Sequence, residues 1–327
     1  MKPARLSPWW LLAGVTAVAV ALVLGVALGP VTLPPGAVLA ELLGLESGLT
    51  EREAAIVTQI RLPRVVLGLL AGAMLALGGG CFQGVFRNPL ADPYLLGIAA
   101  GAGLGATCAI ALRAENIVVP VAAFAGAVTA AAMTYLLGGA RNLILAGVAV
   151  SSFLAAIQTY VLQRNVDTIR EVYSWLLGRL ATDGYRDVKL LLPYAVVAAV
   201  VVLAMRRELD VLSVGDAEAA GLGLHPQRSR LILLAAASLG TAAAVAVSGL
   251  IGFVGIIVPH LVRLLAGGSY RSILPLSLLF GGAFLALADL AARTLIAPGE
   301  LPIGVVTAFF GAPFFLLVMR TTRAVNL

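Results

Sequence analysis

Charge is scarce in this chain. Of its 327 residues, 22 are Lys or Arg and 16 are Asp or Glu, 12% in all, where a soluble domain carries roughly 25%. With 61% apolar residues and a mean hydropathy of +1.02, too little polar surface is left to keep the chain dissolved. The apolar residues number about 200, enough for about ten membrane spans of roughly 20 residues each. Long unbroken apolar runs exclude a transmembrane barrel, whose strands alternate apolar and polar positions. We therefore expect an all-α polytopic membrane protein, a single transmembrane domain over residues 1–327.

Other shortages narrow the chemistry. The two cysteines, Cys81 and Cys108, stand in separate apolar runs with no CxxC, so neither a zinc site nor a disulfide framework is indicated. Lys2 and Lys189 are the only lysines and neither sits in a glycine-rich phosphate-binding loop, so the chain does not bind ATP in that way. No basic run exceeds Arg206-Arg207, which sets nucleic acid aside. The apolar centres hold almost no Asp, Glu or His, the groups a proton-coupled carrier places there. No His-Glu-x-x-His occurs either, and the chain is expected to be no enzyme, with no metal and no cofactor of its own. Asp289 and Arg293, one helical turn apart, read as a local ion pair at the membrane interface, and His260 as a structural hydrogen bonder.

Apolar runs place spans near 9–29, 65–84, 94–112, 117–137, 143–163, 190–205, 230–250, 252–265, 273–296 and 303–319. Leu231 to Val262 would rise about 48 Å as one helix against a hydrocarbon core of about 30 Å, so it is expected to break near Ser248-Gly249. In this ten-span scheme one side holds 12 basic residues against five acids, the other 10 against 11, which puts both termini in the cytoplasm. Residues 30–64 then lie outside, with an amphipathic surface helix over Ala37 to Leu45. Residues 164–189 also lie outside, carrying interfacial Tyr173, Trp175 and Tyr185, and residues 206–230 form the longest cytoplasmic loop.

The fifth span carries Ser151, Ser152, Gln158 and Thr159; residues 151 and 158 share one face, as do 152 and 159. Such a stripe is either a water-lined path for a polar solute or a set of interhelical hydrogen bonds, and the sequence supports both. Glycines spaced by four, such as Gly68 with Gly72 and Gly101 with Gly105, mark close helix packing, within the subunit or between two copies.

Five strings occur in order: Arg61-Leu-Pro-Arg64, Arg87-Asn-Pro-Leu-Ala-Asp-Pro93, Leu145-Ala-Gly-Val148, Val258-Pro-His-Leu-Val-Arg263, and Glu300-Leu-Pro-Ile-Gly-Val-Val-Thr307 running into Gly311-Ala-Pro-Phe314. Together they resemble the FecCD-type permease subunits of ABC importers, which carry iron-siderophore chelates, haem or cobalamin across the bacterial inner membrane. The resemblance implies a type II ABC importer permease fold and a homodimer. It also implies two separate ATPase subunits, which bind ATP and Mg, and a soluble substrate-binding protein at the outer face. The cargo class it favours is an iron chelate, with cobalamin and haem as alternatives; a stand-alone secondary transporter is the competing class.

The resemblance also implies roles for particular residues. Arg61, Arg64 and Arg293 match the positions that dock the binding protein, where guanidinium groups at the span ends can reach water; anchoring to lipid headgroups is the other reading. Asn88 and Leu90 match a cytoplasmic gate loop. Asp216, Glu218, Ala219, Ala220, Gly221 and Gly223 match the ATPase-coupling loop, as a short helix that Gly221 or Gly223 terminates, with a plain surface turn as the alternative. The second gate position reads Gly139-Ala-Arg141 and departs from the small polar residues expected there.

Overall fold

The structure is a computed structural model that describes residues 6–29, 31–139, 142–180, 183–296 and 299–325. Arg141 and both chain ends lie outside the described residues, and the side of the membrane expected for the termini is not tested by them. The described residues are all helical apart from turns and connections. In chain order they form α1 (Pro8–Ala27), α2 (Pro35–Leu42), α3 (Glu51–Ala55), α4 (Leu62–Phe86), α5 (Ile98–Ala111), α6 (Val118–Gly138), α7 (Leu143–Arg164) and α8 (Ile169–Leu176). The second half continues with α9 (Arg186–Ala204), α10 (Arg206–Leu212), α11 (Asp216–Gly221), α12 (Pro226–Ser248), α13 (Val254–Ala266), α14 (Tyr270–Thr294) and α15 (Ile303–Val325).

Seven of these stretches are long and apolar enough to cross a membrane, and three shorter apolar helices, Ile98–Ala111, Val254–Ala266 and Ile303–Phe314, occupy the other three expected spans. The helix α4 is the central post. It packs on α14, α12, α13 and α9 and is buried along most of its length. Glycine makes this approach possible: a Cβ on Gly79 would lie 1.9 Å from the carbonyl oxygen of Gly255, and one on Gly72 2.2 Å from that of Gly281. Gly101 meets Gly126 in the same way, so the glycine spacing serves contacts inside the subunit.

The expected interruption falls where α12 ends. Ser248 is its last residue, Gly249 takes φ +70°, and α13 starts only at Val254. An unwound backbone at membrane depth must find partners inside the protein. Here the Tyr94 hydroxyl donates to the Ile251 carbonyl at 3.0 Å, and the Arg179 amide donates to the Ser248 carbonyl at 2.8 Å. The third span begins later than expected, at Ile98 rather than residue 94. Pro93 opens a 3₁₀ turn, Pro93–Leu96, capped by the Asp92 carboxylate, and Gly97 at φ +81° reorients the chain before α5.

Candidate functional site

Polar chemistry gathers at opposite ends of the long helix α4. At its beginning the chain passes from α3 through a π-helical turn, Ile56–Arg61. Such a turn aims side chains away from the regular helical direction and is common at functional sites. Arg61 ends this turn and points at the last turn of α1, whose terminal carbonyls have no intrahelical donor. Its Nη1 donates to the carbonyls of Val26 and Ala27, both at 2.9 Å, and its Nη2 to that of Val31.

One turn on, the Arg64 guanidinium is gripped by two carboxylates. Nε and Nη2 donate to Asp289 at 3.0 and 2.8 Å, while Nη1 and Nη2 donate to Glu300, both at 3.0 Å. Asp289 is 1% exposed, and Arg293 approaches it at 3.4 Å while donating to the Gly25 carbonyl. The hydrogen bonds from Arg64 hold the Glu300 carboxyl below its ordinary pKa. These residues come from the α1 end, α4, α14 and the α14–α15 connection, and they lock four elements together.

This geometry corrects two expectations. Arg61 and Arg293 do not reach water: each is 4% exposed and turned inward, because the last turn of α1 supplies carbonyls that need donors. Only Arg64, with 16% of its side chain exposed, opens to the surface, beside half-exposed Glu300. The Asp289–Arg293 pair is likewise no interface pair but part of a buried cluster in which Arg64 makes the shorter contact.

At the other end of α4 the helix closes with Arg87 in the left-handed conformation, φ +52°, and the chain turns into Asn88 and Leu90. The Asn88 side-chain oxygen accepts from the Leu90 amide at 2.9 Å, which fixes the tip of this loop. Against it stands α11. Asp216, its first residue, accepts from Arg87 Nη2 and from Arg230 Nη2, both at 2.8 Å. The helix ends in the hydrogen-bond pattern of a left-handed cap, the Leu224 amide to the Ala219 carbonyl and the Gly223 amide to that of Ala220, with Gly223 at φ +84°. Gly223 rather than Gly221 is thus the terminator, and the segment is a formed helix rather than a turn. Ala219 faces inward, fully buried, whereas Glu218, Ala220, Gly221 and Leu222 are exposed.

The fifth-span stripe divides. Gln158 Nε2 donates to Thr107 Oγ1 on α5 at 3.0 Å, and Ser151 lies against Gly97, so this pair faces the bundle. Ser152 and Thr159 lie on the exposed face, their hydroxyls donating back to the carbonyls of Val148 and Ala155, each at 2.9 Å. Arg230 and Asp210 enter these arrangements without any signal in the sequence beyond their charge, whereas Arg87 and Glu300 each open one of the five family strings without a role implied for them there. Asp210 accepts from Ser269 Oγ at 2.8 Å and from the Tyr270 amide, and so ties α10 to the start of α14. Among the described residues no group of three or more His, Cys, Asp or Glu is arranged to hold a metal ion.

Comparison with known proteins gives this arrangement a context. A family model described as the FecCD transport family matches residues 17–321. The cobalamin import system permease of Halobacterium salinarum is 44% identical over 293 residues, covering 88% of this chain and 79% of that protein. An Fe(3+)-citrate import system permease of Bacillus subtilis is 36% identical over 305 residues, 91% of this chain and 90% of that protein. Among solved structures, an inward-facing conformation described as that of a metal-chelate type ABC transporter superposes with a TM-score of 0.87 at 27% identity, over 96% of this chain and 100% of that one.

Proposed function

The chain belongs to the FecCD transport family as an ABC importer permease, and from that premise we propose that it carries an iron chelate inward through a homodimer driven by two separate ATPase subunits. The observation that carries the reading is α11, a formed and capped helix that exposes small and apolar residues at one end of a chain with no phosphate-binding loop. Val214 and Leu222, 70% and 72% exposed, flank it and supply apolar surface for an ATPase groove.

In this reading the ten helical segments are all spans, both termini are cytoplasmic, and the chain sits in the bacterial inner membrane. The Asp216 end then faces the ATPases and the Arg64 end the binding protein. Arg64 is the docking contact, since a partner carboxylate can compete with Glu300 for its fork. Arg61 and Arg293 hold the rim and add positive potential beneath it. The exposed face of α7, with Ser152 and Thr159 among alanines and the exposed Leu145, Val148, Phe153 and Tyr160, lines the path between two copies, while Gln158 braces it against α5 and Ser151 against Gly97. Asn88 and Leu90 close the path on the cytoplasmic side. No bond of the cargo is made or broken; ATP binding elsewhere shifts the path between two accesses.

Cobalamin is a second cargo reading, favoured by the 44% identical relative named for it. One experiment tests both. The tagged chain is purified with the products of neighbouring genes, and the co-encoded binding protein is examined by absorbance and metal analysis. Recovery of an ATPase and a ferric-chelate spectrum is the expected result. Cobalt with a corrinoid spectrum changes the cargo to cobalamin, and a Soret band changes it to haem. A permease that is recovered alone and transports without ATP overturns the importer.

A further inference from the structure

A helix that ends in a left-handed residue usually has glycine there, because a Cβ in that conformation costs about 1–2 kcal/mol. Two helices at the cytoplasmic end close with the same pair of hydrogen bonds. In α11 the left-handed position is Gly223, as expected. In α4 the Asn88 amide donates to the Gln83 carbonyl and the Arg87 amide to that of Gly84, yet the left-handed position is an arginine. At the end of α5, Arg113 takes the left-handed position with the same pair of hydrogen bonds, φ +53°, and it too makes an ion pair, with exposed Asp167. The Arg87 side chain reaches 2.8 Å from Asp216 at the start of α11, and the residue after it begins the 88–90 loop.

Arg230 supplies the other end. It is anchored on the first turns of α12, its side chain is 16% exposed, and it holds the same carboxylate oxygen at 2.8 Å. Asp216 and Arg87 are about half exposed. Contacts at that exposure are weak and rearrange readily, so this junction can move without breaking the fold. Beside it opens a cavity of about 510 Å³ bounded by Val85, Phe86, Arg87, Arg230 and the start of α7 at Leu143 to Leu145, which leaves room for the loop to shift.

We propose that Arg87 is a positioning residue that joins the coupling helix α11 to the gate loop 88–90 through Asp216, so that displacement of α11 moves the gate. The inference rests on the reading of α11 as the ATPase contact and of 88–90 as the gate. The Arg87–Asp216 ion pair joins the start of the helix directly to the residue that opens the loop.

The test uses the full complex with its ATPase and binding protein in proteoliposomes. Arg87→Gly removes the side chain and relieves the left-handed backbone, so it should unfold no more easily than the parent. It should nevertheless carry about tenfold less cargo per ATP hydrolysed, the scale of an ordinary coupling between two sites. Arg87→Asn, which also tolerates the left-handed region, should behave alike, whereas Arg87→Lys keeps a point charge in reach of Asp216 and should retain most of the coupling. As a direct readout, Leu90→Cys is introduced with Cys81 and Cys108 replaced by alanine and labelled from the cytoplasmic side. ATP should change the labelling rate in the parent and not in the Arg87→Gly background. Unchanged cargo per ATP in Arg87→Gly, or Arg87→Lys as poorly coupled as Arg87→Gly, overturns the link while leaving the importer standing. Failure of the parent to bind any ATPase overturns the function and the link together.

Discussion

Arginine and carboxylate meet at both ends of α4, and the two meetings are built differently. At the Arg64 end the partners are a carboxylate with 1% exposure and backbone carbonyls of α1, so each guanidinium is tied to elements that cannot move without leaving a charge stranded. At the Asp216 end, Asp216 and Arg87 are half in water and, among the described residues, its three charged groups are tied to one another. A buried pair that loses one member costs about 3–5 kcal/mol, whereas exposed pairs are worth about 0–1 kcal/mol. The first arrangement suits a rigid rim on which a partner lands; the second suits a joint that shifts during each cycle.

The comparison can be broken most severely at Arg64. Arg64→Ala should destabilise the purified chain by about 3 kcal/mol, since buried Asp289 would lose its main partner and keep only the longer contact to Arg293. Unfolding can be followed in detergent by the exposure of Cys81, which is fully buried, to a thiol-reactive dye. A double replacement, Arg64→Leu with Asp289→Leu, should recover only part of the loss, because it removes the Arg64–Asp289 pair together but takes Asp289 from buried Arg293 and Arg64 from half-exposed Glu300. An Arg64→Ala protein as stable as the parent would erase the distinction between the two ends.

Smaller effects sharpen it. Arg61→Ala takes the side-chain donor from the Val26 and Ala27 carbonyls, of which Ala27 keeps the Leu33 amide at 3.3 Å, and a loss of about 1–3 kcal/mol by the same assay is expected. At the other end Gly223→Ala places a Cβ in the left-handed region and should fray α11 by about 1 kcal/mol, seen as faster amide exchange at Ala219 and Ala220. Gly221→Ala, with open space around it and no positive φ, should slow that exchange by a similar margin. Equal responses at the two glycines would contradict the cap assigned to Gly223.

The smallest expected effect is a pH dependence at Glu300. Its carboxyl titrates lower in the folded protein than its ordinary value of 4.5, because Arg64 donates to the charged form. Its contribution is therefore complete above that value and lost as pH falls through the lower folded one. The stability difference between the parent and Glu300→Gln should shrink as the medium is taken from pH 6 toward pH 3. A difference that grows on acidification would mean that the Glu300–Arg64 contact does not stabilise the rim.

Much of the architecture was legible in the chain. The apolar run from residue 143 to 163 is the helix Leu143–Arg164, and the length argument on Leu231 to Val262 located the break at Ser248-Gly249. Both follow from the same constraint, that a helix crossing about 30 Å of hydrocarbon has a length set by its rise per residue. The Ala37 to Leu45 stretch is the short helix Pro35–Leu42 for a related reason, its prolines supplying the N-terminal turn. The interior of the 87–97 connection was not legible. Its path depends on Pro93 meeting α4 at Gly78 and Tyr94 reaching Ile251, contacts across more than 150 residues in the latter case.

For the candidate site the division runs through single residues. That Arg61, Arg64 and Arg293 lie at span ends could be read from the apolar runs, and a short helix closed by glycine over Asp216 to Gly223 was what the family resemblance implied. That Arg61 and Arg293 turn inward, that Glu300 shares the Arg64 fork, and that Asp216 is held by Arg87 and Arg230 required the folded chain. Local periodicity and the thickness of the bilayer determine where a membrane helix starts and stops, and these are written into consecutive residues. Which cation finds which anion depends on helix packing, set here by glycine contacts such as Gly79 on Gly255 between residues far apart in the chain. Only the tertiary structure decides that, because burial and distance, not residue type, set what an arginine can bind.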